Sequence, residues 1–229
     1  MNRIAHIINP FNAEGHPDLE IAQPITFESM LHAKNKAAAL GVEVELLTAQ
    51  FEEDLSIIPE GFRPTKNIHQ STASVTSHNL PRKLPFIADI LERLYQESSA
   101  EYLVYTNVDI GLYPDFYIKV NSFINQGHDA FIINRRRIPA KFTSPHQLQE
   151  IFKSPSKSHP GFDCFVIHRS LIPKFSLAQI AIGIPFIGIG MAQNVFCFAQ
   201  NPKVFEKEFL TFHIGMEIFR KRASQPYFL

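Results

Sequence analysis

The chain has 229 residues, and its 22 Lys and Arg are balanced by 22 Asp and Glu, so the formal net charge is zero. This balance gives no electrostatic basis for binding nucleic acid or an anionic membrane. Hydrophobic residues make up 45% and charged residues 19%, as is typical of a soluble globular protein. Cys164 and Cys197 lie in apolar surroundings without a CxxC pair. Buried free thiols are therefore predicted, with no disulfide framework and no structural zinc.

Strands and helices alternate along the chain, as judged from the period of the apolar residues. Pro24 and Gly41 mark the expected start and end of the first helix, because proline favours the first turn and glycine the position after the last. The segment 51–79 lacks periodicity and is predicted to be a long surface loop. Strands are predicted at 4–8, 42–47, 102–106, 130–134 and 163–168, and helices at 26–40, 84–97, 114–124, 146–152 and 185–199. The alternation predicts an α/β fold, with a mainly parallel sheet and helices on both faces.

No linker or repeat divides the sequence, so a single domain over residues 1–229 is predicted. The segment 175–202 contains no charged residue and is long enough for a membrane helix. Prolines, glycines and amides interrupt it, which favours a loop followed by a buried helix. The N-terminus lacks the apolar core and cleavage site of a signal peptide. A cytoplasmic protein without a membrane span is expected, and peripheral association stays open.

The segment 101–117, EYLVYTNVDIGLYPDFY, places Asn107 and Asp109 directly after a predicted buried strand. Their spacing puts both side chains on one face of an extended chain. Ligand chemistry in α/β proteins lies at the exits of the central strands, and oxygen ligands suit Mg²⁺ or Mn²⁺. An Asx turn that ends the strand is the alternative explanation.

Asp163 and the arginine run are further candidates for site residues. Asp163 opens a predicted strand, and Gly161 before it allows the close backbone approach that a pocket needs. The alternative for Asp163 is a strand-start residue capped by local backbone donors. Guanidinium groups match phosphate and carboxylate, so one residue of Arg135, Arg136 and Arg137 is expected to face the site from a polar loop. A solvated loop is the alternative.

Motifs of several common enzyme classes are absent from the sequence. It contains no G-x-x-x-x-G-K-[ST], no G-x-S-x-G and no H-E-x-x-H, which argues against P-loop enzymes, α/β-hydrolases and zincins. The glycine-rich stretch IGIPFIGIGMAQ does not follow a strand as G-x-G-x-x-G, so a dinucleotide-binding motif is not supported.

Five segments resemble, in the same order, those of GT-A fold glycosyltransferases, the nucleotide-diphospho-sugar transferases. The segments are HIINPFN, PITFESMLHAKNKA, LPFIADILERLYQESSAEYLVYTNVDIGL, GFDCFVIHRSL and FHIG. The resemblance implies a Rossmann-like GT-A domain with a mostly parallel, twisted central sheet. It also implies an enzyme that moves a sugar from a nucleotide-diphospho-sugar donor to a sugar or other hydroxyl acceptor, assisted by Mn or Mg.

The resemblance assigns roles residue by residue. Asp109 matches the last Asp of the D-x-D motif of the family and is the expected metal ligand. Asn107 stands where the family has the first Asp, and this departure assigns it to donor binding. His213, within FHIG, is the expected second metal ligand, with an ordinary surface or core histidine as the alternative. Asp163 is expected to face the acceptor as the catalytic residue.

Asn9, Phe11 and Arg82 complete the predicted site. Asn9 and Phe11 end the first strand, where an amide and a ring are available to the nucleobase. Arg82 precedes the helix at 84–97, where it contacts the diphosphate or lies in solvent.

Two other functions stay open at this point. One is a non-catalytic nucleotide- or partner-binding protein of the same fold, which Asn107 favours. The other is a sugar-phosphate nucleotidyltransferase. That activity needs a basic, glycine-rich loop after the first strand, where this chain has NPFNAEGHPD.

Overall fold

The structure is a computed structural model that describes residues 2–75, 83–184 and 187–215. Within these ranges, nine strands form one sheet and six α-helices surround it. The strands are β1 (Arg3–Ile8), β2 (Glu43–Thr48), β3 (Arg63–Pro64), β4 (Tyr102–Thr106), β5 (Ile110–Leu112), β6 (Ala130–Ile138), β7 (Lys157–His168), β8 (Pro202–Phe205) and β9 (Thr211–Ile214). The helices are α1 (Pro17–Ala38), α2 (Thr72–Val75), α3 (Ile87–Glu97), α4 (Phe116–Asn125), α5 (Leu148–Lys153) and α6 (Ile187–Phe198).

The strand order in the sheet is β3-β2-β1-β4-β7-β6-β9-β5, and β8 pairs with β6 outside this path. Five of the eight pairings among the described strands are parallel. The exceptions are β7, which runs antiparallel to both β4 and β6, and β5, which runs antiparallel to β9. The predicted α/β fold with a mostly parallel sheet is confirmed, whereas the direction of β7 was not predicted.

Side-chain alternation along the central strands divides the core between the two faces of the sheet. Ile4 and Ile8 of β1 pack in one cluster with α1 and α4. Ala5 and Ile7 pack in another with α3 and α6. A third cluster joins α1, α5 and β9. Helices therefore cover both faces, and each fully buried aliphatic side chain stabilises the fold by about 1.5–3 kcal/mol.

Helix α1 begins earlier than predicted, at Pro17, and Pro24 lies inside it. A proline in a helix interior removes one backbone hydrogen bond, and contacts with the preceding loop hold this part of α1. The Gln23 side chain accepts a hydrogen bond from the Phe11 N–H at 3.2 Å and donates one to the Phe11 carbonyl at 3.0 Å. The prediction was wrong because these tertiary contacts outweigh the preference of proline for helix starts.

Strands β6 and β7 are also longer than predicted, and they form a ribbon that extends beyond the end of β4. Thr106, the last residue of β4, pairs with Cys164, so the preceding part of β7 lies past this edge. The run Arg135–Arg137 lies within β6 rather than in a loop. Two register shifts interrupt the β6–β7 pairing in this region.

Three smaller predictions were wrong. The region predicted as a surface loop is packed over residues 51–75, where Phe51, Phe62 and Ile68 are buried, and residues 76–79 lie outside the described residues. Helix α6 is only partly buried, because Ile189 and Phe196 are each 50% exposed. The thiol of Cys197 is exposed, unlike that of Cys164.

Across the described ranges, no helix is both long enough and apolar enough to span a membrane.

His6 is a buried ionisable residue in the middle of β1. Its Nδ1 lies 2.8 Å from the Tyr117 hydroxyl and its Nε2 lies 2.9 Å from the Thr106 hydroxyl. These contacts join β1, the end of β4 and α4. Burial lowers the pKa of His6 from 6.5 to about 3, because a charged ring is poorly solvated there. The folded protein therefore holds His6 neutral.

We expect the free energy of unfolding to fall as the pH drops below about 6.5, since His6 is protonated in the unfolded chain but not in the folded one. The contribution of His6 is about 1.4 kcal/mol per pH unit down to its folded pKa. His6→Gln should lower the slope by this amount, as measured by urea unfolding between about pH 7 and pH 4.5. The exposed His69 provides a control, and His69→Gln should keep the wild-type slope. An unchanged slope in His6→Gln would contradict the assignment.

Candidate functional site

Strand β9 brings a late segment of the chain to the exit of β4. It lies between β6 and β5, where His213 pairs with Ile110 on one side and Arg137 on the other. Asp109 precedes Ile110, and its Oδ2 lies 3.2 Å from His213 Nε2. The two predicted metal ligands, 104 residues apart in the sequence, are therefore neighbours in the fold.

Asp109 and His213 form an oxygen and nitrogen pair at the edge of the sheet. Burial raises the pKa of Asp109, but the hydrogen bond from His213 and the charges of His213 and Arg135 outweigh it, so the pKa is lowered overall. The Asp109 side chain is 22% exposed. An ionised carboxylate beside an imidazole is a donor set that suits Mn²⁺ or Mg²⁺.

Asp163 and Arg135 form an ion pair next to Asp109. Both side chains are largely buried, with 14% and 12% exposure. Burial raises the pKa of Asp163, the Arg135 charge lowers it, the Asp109 charge raises it, and the net shift is upward. Because Asp109 affects the titration of Asp163, the two carboxylates lie within electrostatic reach of each other.

His159 lies beside Asp163 and was missed in the sequence analysis. A Cβ on Gly161 would lie 2.7 Å from Asp163 Oδ2 and 2.8 Å from His159 Nδ1, so the two side chains flank the glycine. Burial and the charges of Arg135 and Arg137 lower the pKa of His159 to about 4. Strand alternation places residues 159, 161 and 163 on one face. This alternation was missed because β7 was predicted to begin at Asp163, which left His159 outside the strand.

Asn107 is held by the residue two positions before it. The buried Tyr105 hydroxyl donates a hydrogen bond to Asn107 Oδ1 at 2.8 Å. Burial and the charges of Asp109 and Asp163 raise the pKa of Tyr105, so the phenol stays protonated and remains a donor. Because Tyr105 engages the amide oxygen, the Asn107 Nδ2 group is the part suited to contact a ligand.

The β1–α1 loop is fixed by polar contacts. Asn9 is buried and its Nδ2 donates to the Ala49 carbonyl. The Asn12 N–H donates to Asp54 Oδ1 at 2.8 Å. The half-buried Phe11 lines an open pocket of about 570 Å³ beside this loop. The lining residues are Phe11, Asn12, Ala13, Glu14, Glu20, Gln23, Pro24, Phe27 and Ile57, so this pocket is separate from the Asp109–Asp163–His213 cluster.

The remaining predicted site residues are basic. Arg82 lies outside the described residues. Arg135 and Arg137 act on the site, but Arg136 lies on the other side of β6, where it donates to Ser156 Oγ at 2.6 Å and stacks over the Phe209 ring at 3.7 Å. Two arginines of the run are thus near the site instead of the expected one, because the run lies in a strand and alternates.

Over residues 2–75, 83–184 and 187–215, no group of three or more His, Cys, Asp or Glu side chains is arranged to hold a metal ion. Asp109 and His213 provide two protein ligands. Mg²⁺ commonly takes one or two carboxylates and completes its shell with water and substrate phosphates. The pair fits an ion that is bound together with a phosphate ligand.

The structure is similar to several solved structures. With S. aureus TarS 1–349 in complex with UDP-GlcNAc, the TM-score is 0.55, at 12% identity over 94% of this chain and 59% of that one. A second solved structure is glucosyl-3-phosphoglycerate synthase from Mycobacterium tuberculosis, in complex with Mn²⁺, UDP and phosphoglyceric acid. The TM-score with it is 0.53, at 15% identity over 97% of this chain and 74% of that one. The chain has the GT-A fold.

The GT-A fold is shared with a further solved structure, a putative glucose-1-phosphate thymidylyltransferase from Bacillus anthracis in complex with a sucrose. The TM-score is 0.52, at 10% identity over 96% of this chain and 93% of that one. No family model and no curated protein matches the sequence. The chain spans about 59% of the TarS fragment. At these identities the structural similarity shows the fold alone, and the fold-level resemblance seen in the sequence is confirmed.

Arg135→Gln should leave Asp163 as a buried carboxylate without its cationic partner and lower the free energy of unfolding near pH 7 by about 3 kcal/mol. Without the guanidinium, the folded-state pKa of Asp163 rises further above its unfolded value. Stability is then lost as the pH rises through that folded pKa. In urea unfolding experiments, the loss in free energy of unfolding relative to the wild type should therefore be smaller near pH 5 than near pH 7.

Two controls accompany this measurement. Arg135→Gln combined with Asp163→Asn should recover most of the stability, because no buried charge remains. Arg63→Gln removes surface ion pairs with Glu45 and Glu97 and should cost at most about 1 kcal/mol. An equal loss for Arg135→Gln at both pH values would show that the buried charge of Asp163 is not the cause.

Proposed function

We propose that the chain is a glycosyltransferase that moves a sugar from a nucleotide-diphospho-sugar donor to an acceptor hydroxyl. The observation that supports this most is the convergence of Asp109, Asp163 and His213 from three segments at one edge of a GT-A sheet. The GT-A neighbours TarS, in complex with UDP-GlcNAc, and glucosyl-3-phosphoglycerate synthase, in complex with Mn²⁺ and UDP, support the class of donor.

In this proposal, Asp109 and His213 would hold Mn²⁺ or Mg²⁺ beside the donor diphosphate. When bound, the ion supplies positive charge to the leaving diphosphate. Asn107 donates a hydrogen bond from Nδ2 to the ribose or sugar of the donor, since Tyr105 engages its oxygen. Tyr105 thereby sets the orientation of Asn107.

Asp163 accepts the proton of the acceptor hydroxyl as that oxygen attacks the sugar, if the reaction inverts configuration. Its raised pKa brings it closer to the operating pH, where a general base works best. Arg135 orients the carboxylate through their ion pair. The donor lies on the Asp109 side of Asp163, which leaves the β6–β7 ribbon to the acceptor.

The nucleoside of the donor contacts the β1–α1 loop. Phe11 offers a ring face beside the open pocket, and Asn9 fixes the loop through its bond to Ala49. The Asn12–Asp54 contact holds the loop in a set conformation before a ligand arrives, which lowers the entropy that binding costs. Arg82 is retained in the proposal as a contact to the diphosphate.

A non-catalytic nucleotide-binding protein is the second candidate. It is favoured by Asn107, a neutral amide where the resemblance leads one to expect a carboxylate. A sugar-phosphate nucleotidyltransferase has less support, because the loop after β1 contains no Lys or Arg, although one structural neighbour is described as a thymidylyltransferase.

The donor site is tested by calorimetry with UDP and GDP, with and without Mn²⁺. We expect one nucleotide to bind about tenfold more tightly with Mn²⁺, and Asp109→Ala to lose that gain because the ion loses its charged ligand. Asp109→Ala should also abolish donor hydrolysis and transfer. Asp115→Asn, at an exposed ion pair with Lys36, is the control. Full turnover in Asp109→Ala would contradict the role of Asp109 as a metal ligand in the reaction. A lack of nucleotide binding both with and without Mn²⁺ would exclude a donor site.

Asn107→Asp tests the departure from the D-x-D motif. A second carboxylate two residues before Asp109 should tighten Mn²⁺ binding in the presence of UDP by about tenfold, because ligand charge sets the affinity for divalent ions. Free Mn²⁺ is measured by electron paramagnetic resonance. Asn35→Asp, on the exposed surface of α1, should leave the affinity at the wild-type value. Unchanged affinity in Asn107→Asp would mean that residue 107 does not face the ion.

A further inference from the structure

Three basic residues lie along the β6–β7 ribbon beyond the Asp163–Arg135 ion pair. They are Arg137 of β6 with Lys157 and His159 of β7, and we call them the cationic strip. Its positive charge comes from Arg137 and Lys157, because the lowered pKa of His159 keeps that ring neutral near pH 7. Arg137 and Lys157 are direct partners in the antiparallel register, so their side chains stand on the same face. His159 follows Lys157 by two residues and shares that face. Strand geometry thus gathers three basic side chains in one place.

The cationic strip runs against the ordinary rule for paired strands. Like charges directly opposite each other destabilise a sheet, and Arg137 is half-buried. The field at His159 is positive, because Arg135, Arg137 and His213 all lower the pKa of its ring after burial has done so. Basic side chains that a strand pairing holds side by side match an anionic group.

The position of the cationic strip relates it to the proposed reaction. Arg137 lies two residues beyond Arg135 on β6, which is about 7 Å along a strand. Arg135 holds Asp163, and the side chains of Asp163 and His159 both lie against Gly161, because a Cβ there would be 2.7 Å from Asp163 Oδ2 and 2.8 Å from His159 Nδ1. If the reacting hydroxyl of a bound molecule contacts Asp163, a second group of that molecule, about one sugar unit from the hydroxyl, would therefore lie at the cationic strip.

We propose that the cationic strip binds an anionic group of the acceptor, so that the acceptor is a hydroxyl compound with a phosphate or carboxylate about one sugar unit from the reacting hydroxyl. The proposal rests on the proposed glycosyltransferase function. The Arg137 guanidinium matches either anion through two parallel hydrogen bonds, and the Lys157 ammonium adds a point charge. Phosphate and carboxylate share this chemistry, and the experiment separates them.

The test compares glucose, glucose 6-phosphate and glucuronate as probes, which share a sugar ring and differ at one end. Their affinities are measured by calorimetry on the full chain, alone and with saturating UDP and Mn²⁺, which occupies the diphosphate site. We expect at least one anionic probe to bind about tenfold more tightly than glucose. In Arg137→Gln and in Lys157→Gln, this preference should fall to about twofold or less.

Arg136→Gln is the matched control, because Arg136 lies on the opposite side of the same strand and contacts Ser156. It should keep the wild-type preference, and thermal melting verifies that every variant is folded. Equal affinity for the three probes, no binding of either anionic probe, or a preference that survives in both strip variants would overturn the proposal. UDP binding is measured separately in the same titrations. Its absence counts against the glycosyltransferase function, whereas UDP binding without anion preference counts against the strip alone.

Discussion

The candidate site depends on the pairing of β9 with β5 and β6. This register puts His213 beside Ile110 and so brings its ring to Asp109. A glycine makes the pairing possible, because a Cβ on Gly111 would clash with the ring of Phe212. Phe212 is buried in the cluster that joins α1, α5 and β9. Aromatic packing on a glycine therefore determines where the imidazole lies, and the polar site follows from an apolar contact.

The antiparallel strand β7 gives the two carboxylates different environments. Asp109 accepts a hydrogen bond from His213 and has a lowered pKa, whereas burial and the Asp109 charge raise the pKa of Asp163 despite Arg135. Paired groups whose surroundings push their pKa values apart are suited to different roles in one reaction. The proposed division, with a charged ligand at Asp109 and a proton acceptor at Asp163, follows from this asymmetry.

The strands and helices with regular periodicity were predictable, as was the carboxylate that follows β4, Asp109. Strand length was not, because the second half of β6 and the first half of β7 are stabilised by each other and by β9 rather than by their own composition. Charged residues such as Arg135 therefore looked like loop residues. His159 was missed for the same reason. Local sequence indicates which residue types end a strand, but only the tertiary partners determine how far it continues.

Asn107 is best understood through the charge balance of the site. A carboxylate at this position would add a third negative group near Asp109 and Asp163, next to a buried phenol that both already affect. Like charges held close together raise one another's pKa, so one of them would tend to be protonated. The amide avoids this conflict and keeps a hydrogen-bond donor for a ligand. Arg135 acts on both carboxylates, so in the proposed function its side chain supplies part of the positive charge that a metal ion supplies at a D-x-D motif.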